Sequence, residues 1–154
     1  MKKINWKKLI LSILIPLAVG GIASLLTKNG FNSIESLNKP PLYPPSYLFG
    51  IVWPILYILM GISSYIVSNS SGDTKNAMTL YYIQLLFNFV WPILFFNFDF
   101  YLFSFIWLIA LLILVILMTI EFFKINKLAG YLQIPYIIWL IFASYLNLSI
   151  YLLN

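Results

Sequence analysis

Gln84, Asn88 and Trp91, with Phe95 beyond them, stand at i, i+4, i+7 and i+11 in an otherwise apolar run. On a helix that spacing puts two amides and an indole on one stripe. Trp139, Phe142, Ala143, Leu146, Asn147 and Ile150 repeat the pattern near the C-terminus, and Trp53, Tyr57, Gly61 and Ser64 lie roughly along a third face. An amide in apolar surroundings costs free energy unless it is paired, so the stripes should point inward. They are the only inward-directed functional groups available, and they are expected to converge. Indole faces can stack on a flat ring, amides can bond a carbonyl or an edge group, and Ala143 beside Trp139 leaves room for such a ring. Helix packing, with the amides as interhelical glue, is the competing use of the same residues. Histidine and cysteine are both absent. That removes the commonest general base, thiolate nucleophiles, disulfides and the usual soft metal ligands, so no metal site is expected. No acid–base pair or nucleophile constellation replaces them, which disfavours hydrolytic catalysis.

The elements that must carry these stripes follow from composition. Of 154 residues, 62% are apolar and 8% charged, with a mean hydropathy of +0.96. A soluble domain carries roughly a quarter charged residues, so the chain reads as an all-α membrane protein, a single five-transmembrane-helix bundle. The spans fall at about 9–26, 47–67, 77–96, 101–120 and 131–152. The first follows four lysines and contains Pro16; it reads as a span or as a signal peptide, and Gly20 and Ser24 at i, i+4 fit a close helix contact. Residues 27–46 form the long polar connection and end in Lys39-Pro40-Pro41-Leu42-Tyr43-Pro44-Pro45. Prolines at this density make a stiff extended segment, either a plain loop or a rigid lid. The fourth span, nearly all Leu and Ile, reads as a lipid-facing wall with Trp107 as interfacial anchor, and 121–127 as a polar link. All nine cations are lysines. Lys2, Lys3, Lys7, Lys8, Lys75, Lys124 and Lys127 fall on one side and Lys28 and Lys39 on the other, which predicts a cytoplasmic N-terminus and an outside C-terminus in the cell membrane. With no basic stripe on a soluble surface, nucleic acid is not expected as a partner.

Four blocks in order carry a family resemblance: Lys39-Pro40 with Pro44-Pro45, Phe49, Val52-Trp53 and Leu56-Tyr57; Gln84, Asn88, Trp91 and Phe95-Phe96; Pro135-Tyr136, Trp139 and Phe142-Ala143; and Leu146-Asn147. In these the chain resembles the translocator protein / tryptophan-rich sensory protein (TspO/MBR) family along its whole length. Three positions depart from the family pattern. Leu42 stands where the loop usually has a tryptophan, Pro92 replaces the small residue after Trp91, and the C-terminal tail lacks the basic residue of the cholesterol pattern. Cholesterol recognition by that pattern is therefore not carried over.

The resemblance implies a five-helix bundle, commonly a homodimer in membrane lipid, with a cavity capped by the first loop. It implies binding of porphyrins such as protoporphyrin IX, or other flat apolar molecules including benzodiazepine-type ligands, with no required cofactor. Carried over by position, the ligand residues are Pro44, Pro45, Trp53, Tyr57, Gln84, Asn88, Trp91, Phe95, Trp139, Phe142, Ala143, Leu146 and Asn147. Porphyrin propionates would favour the mouth, near Lys39, and metal-free porphyrin fits a chain without His or Cys better than ligated haem does. A sensor or receptor is the leading expectation. Light-dependent porphyrin degradation, with Trp53 and Trp139 as redox-active neighbours, is the second; facilitated transport is the third, although no charge lies in mid-span and no inverted repeat is apparent.

Overall fold

The computed structural model describes residues 3–154; Met1 and Lys2, the latter one of the lysines counted above, lie outside the described residues. Among the described residues five helices are long and apolar enough to cross a membrane, and the chain is a multi-pass membrane protein. They are α1 (Trp6–Leu26), α3 (Ser46–Ser68), α4 (Lys75–Pro92), α5 (Tyr101–Ile125) and α6 (Lys127–Leu153), with a short α2 (Lys28–Ser33) in the first connection. Around the bundle the order is α1, α3, α6, α5, α4, closing back onto α1.

The contact of α1 with α3 follows from one proline and one glycine. Pro16 has no N–H for the carbonyl of Ser12. Gly61 packs onto that freed group: a Cβ at position 61 would stand 2.7 Å from Ser12 O and 2.5 Å from Ile13 Cα. Backbone cannot yield as a side-chain tip can, so Gly61→Leu is expected to force α1 from α3. Overpacking of this kind costs about 1–3 kcal/mol, so the variant should lose several degrees of thermal midpoint in detergent; an unchanged midpoint would show that the contact is dispensable. Gly20, one of the two small residues expected to allow close approach, lies against the Tyr57 ring, whereas Ser24 sits on a cavity wall.

Helix ends correct several sequence expectations. The stretch 121–127 is not a polar link: α5 runs to Ile125, carrying the fully buried Phe122 and a Glu121–Lys124 pair at 3.0 Å on its exposed side. The break is Asn126 alone, in extended backbone, whose side chain caps α6 by accepting from Ala129 N at 3.2 Å. As a wall α5 is outward-facing on one side only, where Ile106, Ile113, Leu117 and Ile120 are exposed. Ser104, Leu108, Leu111, Val115, Met118 and Thr119 are buried where α5 packs along α4 and α6, and Trp107 Nε1 donates to Phe87 O at 2.9 Å. After Pro92, α4 widens into one π-helical turn, Ile93–Asn97, closed by Phe98 N donating to Ile93 O, five residues back, at 3.2 Å.

The connection 27–46 is more ordered than its polar sequence predicts. Residues of α2 form a helix because Gly30 sits on the Phe96 backbone and Phe31 packs on Phe49 and Phe96, with ring centroids 6.2 and 5.3 Å apart. The proline stretch turns at Pro40–Tyr43, where Tyr43 N donates to Pro40 O at 3.3 Å and Leu42 takes φ +70°. Pro41 suits the position before it, but a left-handed leucine is strained. Two clasps hold this strap down. Tyr145 Oη donates to Pro41 O at 2.7 Å, and Asn154 pairs with the Asn38 backbone in both directions at 3.0 and 3.1 Å.

Candidate functional site

Among α1, α3, α4 and α6, under α2, lies a cavity of about 520 Å³. That is within the usual range for small-molecule sites. Its position has a local cause at every wall. The α1 wall is made of small residues, Gly20, Gly21, Ala23 and Ser24, so the helix backbone itself bounds the space. A Cβ at Gly21 or Gly50 would touch nothing, which leaves the α1–α3 side wide. The α3 wall presents Trp53 and Tyr57, the α4 wall Asn88, Trp91 and, in its π turn, Phe95, and the α6 wall Trp139, Ala143, Leu146 and Asn147. The stripes read from the sequence thus meet in one space.

Four of the anticipated residues stand elsewhere. Phe142 packs outside the wall, between Trp139 and Tyr145, and Gln84 lies one turn below the cavity floor, fully buried. Pro44 and Pro45 set the course of the strap but do not face the space; Phe31 of α2 and Tyr43 do. Burial raises the Tyr43 phenol pKa above its ordinary value, so the group stays neutral. The cation at the rim is Lys28 and not Lys39, whose Nζ donates to Glu35 O at 3.3 Å and lies over the Tyr43 ring.

The indoles are arranged as a corner. Trp53 stacks on Tyr57 at 5.6 Å and 28° and meets Trp139 edge-on at 6.3 Å and 89°, while Phe49 buttresses Trp139 at 5.8 Å. Across the space Trp91 stacks on Phe95 at 5.4 Å and 25°. These offset and edge-to-face pairs fix the rings before any ligand arrives.

Of the two uses open to the amides, ligand group and interhelical glue, the structure shows the second. Tyr57 Oη donates to Asn88 Oδ1 at 2.7 Å, Asn88 Nδ2 donates to Tyr136 Oη at 2.8 Å, and Tyr136 Oη donates to Gln84 Oε1 at 2.8 Å. This directional chain ties α3, α4 and α6 below the cavity. A second knot surrounds Asn147: its Oδ1 accepts from Trp91 Nε1 at 3.0 Å with Ser104 Oγ at 3.2 Å, and its Nδ2 donates to Tyr101 O at 2.8 Å. Both amides therefore hold the walls together, with one N–H each to spare. Tyr136 and Ser104 were missed as site residues. Tyr136 had a usable signal, since it precedes Trp139 by three residues and shares its face; Ser104 had none in a span of leucines.

An aromatic cavity with polar knots, set among five membrane helices and roofed by the first connection, defines the class as a membrane helix bundle with an internal cavity. Comparison with known proteins gives the class its family. The sequence profile of the TspO/MBR family matches residues 12–153. A tryptophan-rich protein TspO of Archaeoglobus fulgidus is 39% identical over 152 residues, covering 97% of this chain and 99% of that one. Its counterpart from Chlorobaculum tepidum is 37% identical over 95% of each chain, and the human translocator protein is 32% identical over 79% of this chain and 75% of its own. The chain belongs to the TspO/MBR family.

Proposed function

We propose that this protein is a membrane receptor for tetrapyrroles, holding protoporphyrin IX or a similar flat, mostly apolar molecule in the aromatic cavity. The observation that carries the reading is the corner of Trp53 and Trp139 facing Trp91 and Phe95 across about 520 Å³. The wall is apolar enough for a ring system, and Lys28 at the rim offers a partner for a propionate. The same corner suits benzodiazepine-type ligands. No cofactor is needed for binding, and the partners we propose besides the ligand are membrane lipid and a second copy in a homodimer. We place the protein in the cell membrane with its N-terminus in the cytoplasm and the roofed end of the cavity outside, on the lysine distribution.

The edge-to-face contact of Trp53 and Trp139 favours one further reading, light-dependent porphyrin degradation, in which an indole passes an electron to the excited ring, leaving an indole radical cation and a ring radical anion that dissolved dioxygen then oxidises. A protoporphyrin titration in detergent, in the dark and then under illumination, separates the two. Saturable quenching of tryptophan fluorescence with a stable Soret band is the receptor's result. Bleaching that slows at least tenfold in Trp139→Phe is the enzyme's. No quenching by protoporphyrin in folded protein removes both.

A further inference from the structure

The polar chain at the cavity floor points toward a second polar level deeper in the bundle. Gln133 of α6 is fully buried, and neither its Oε1 nor its Nε2 has a protein partner. The Tyr81 hydroxyl of α4 is buried too, beside Ser64; because the Ser64 proton goes to Gly61 O at 2.9 Å, Ser64 can only accept from Tyr81, which leaves the phenol oxygen without a donor. Above them, Gln84 Nε2 has only the Met60 thioether at 3.9 Å, a weak acceptor.

Register brings these groups to one level. Tyr136 and Gln84 are bonded to each other at 2.8 Å, and Gln133 and Tyr81 each stand three residues before that pair on the same two helices. Both helices run the same way along the bundle, so Gln133 and Tyr81 each lie one turn, about 5 Å, nearer the helix beginnings and on the face of the bonded neighbour. On the α3 side the level is pinned by Ser63 Oγ donating to Ala129 O at 2.7 Å. The fully buried Phe122 ring covers one side of Tyr81, stacked on it at 6.3 Å and 28°.

We propose that this level is a water-binding site, in which one or two water molecules bridge Gln133 to Tyr81 and take up the spare N–H of Gln84. Water is the ligand that fits. It donates to Gln133 Oε1 and accepts from amide or phenol protons at once, which an apolar molecule cannot do, and among the described residues no carboxylate or lysine is buried to hold an ion. The bridge prolongs the Tyr57–Asn88–Tyr136–Gln84 chain, so that the cavity floor is joined by hydrogen bonds to a hydrated level on its far side. The inference stands on the bundle alone and is independent of which ligand fills the cavity.

The test uses the full chain in lipid nanodiscs with ¹⁵N-labelled glutamine side chains and water as the probe. The chain has two glutamines, so Gln133→Leu or Gln84→Leu alone assigns both signals. The Gln133 amide is expected to show cross-relaxation with water, reduced at least twofold in Tyr81→Phe. An amide signal with no transfer from water overturns the site. Stability gives a second readout with opposite signs. Loss of a bridged amide in Gln133→Leu lowers the thermal midpoint, whereas a raised midpoint identifies an amide that was truly unpaired and overturns the proposal. If neither variant folds, selective transfer from water to the two wild-type amides decides alone: transfer to both supports the site, and to neither sinks it.

Discussion

An Asn88→Leu protein is expected to unfold about 4–8 °C below the wild type, although leucine fills nearly the same volume. The loss is of bonds. Asn88 accepts from Tyr57 and donates to Tyr136, so the substitution strips one partner from each of two buried phenols. A buried polar group left unmet costs about 1–3 kcal/mol in soluble proteins, while side-chain bonds within membranes average nearer 0.6 kcal/mol. Tyr136 keeps its bond to Gln84, and Tyr57 borders the cavity, where its hydroxyl can find other company. About 2 kcal/mol in total is the reasonable figure, and it converts to the stated shift for a chain of this size. A double-mutant cycle with Tyr136→Phe measures the bond itself: the two losses should fall short of additive. A melting shift under 1 °C would mean the chain of amides and phenols does not hold α3, α4 and α6 together.

The stripe containing Asn88 was legible in the sequence because desolvation alone dictates that an amide in mid-span face inward. What it would bond was not legible. Asn88 and Asn147 read equally well as ligand groups or as interhelical ties, and the deciding partners, Tyr136, Tyr101 and Ser104, come from other helices. That the buried face of α5 went unread has a different cause. Leucine against lipid and leucine in a membrane core have the same solvent preference, so burial of Leu108 or Leu111 leaves no mark on hydropathy. The roof shows the opposite failure. Lys28-Asn29-Gly30-Phe31-Asn32-Ser33 has poor helix propensity, yet it is helical because the Phe31 contacts and the close seat of Gly30 on Phe96 outweigh tenths of a kcal/mol per residue. Local preference decides only where tertiary contacts are silent.

Trp53→Ala is expected to weaken protoporphyrin binding about 30-fold, the largest single effect on the cavity. Trp53 is the hinge of the aromatic corner, stacked on Tyr57 and edge-on to both Trp139 and Tyr136. Removing it takes away an indole face worth about 1–2 kcal/mol of apolar contact at roughly 25 cal/mol per Å². It also unbraces Trp139, adding part of the 0.5–1.5 kcal/mol that aromatic pairs contribute beyond area. The sum, about 2 kcal/mol, is the stated factor. Trp107→Phe is the control: that indole stacks on Phe87 at 4.3 Å, away from the cavity, and its loss should leave affinity within about twofold even if the lost bond to Phe87 O lowers stability. Because Trp53 and Trp139 touch, a Trp53→Ala/Trp139→Phe double variant should bind more tightly than the product of the single effects implies. Additive losses would instead place the porphyrin against one indole at a time and dissolve the corner as a recognition unit. With porphyrin saturating, the same variants separate binding from chemistry, since an indole that only stacks alters affinity, whereas one that gives up an electron also alters the bleaching rate of the bound ring.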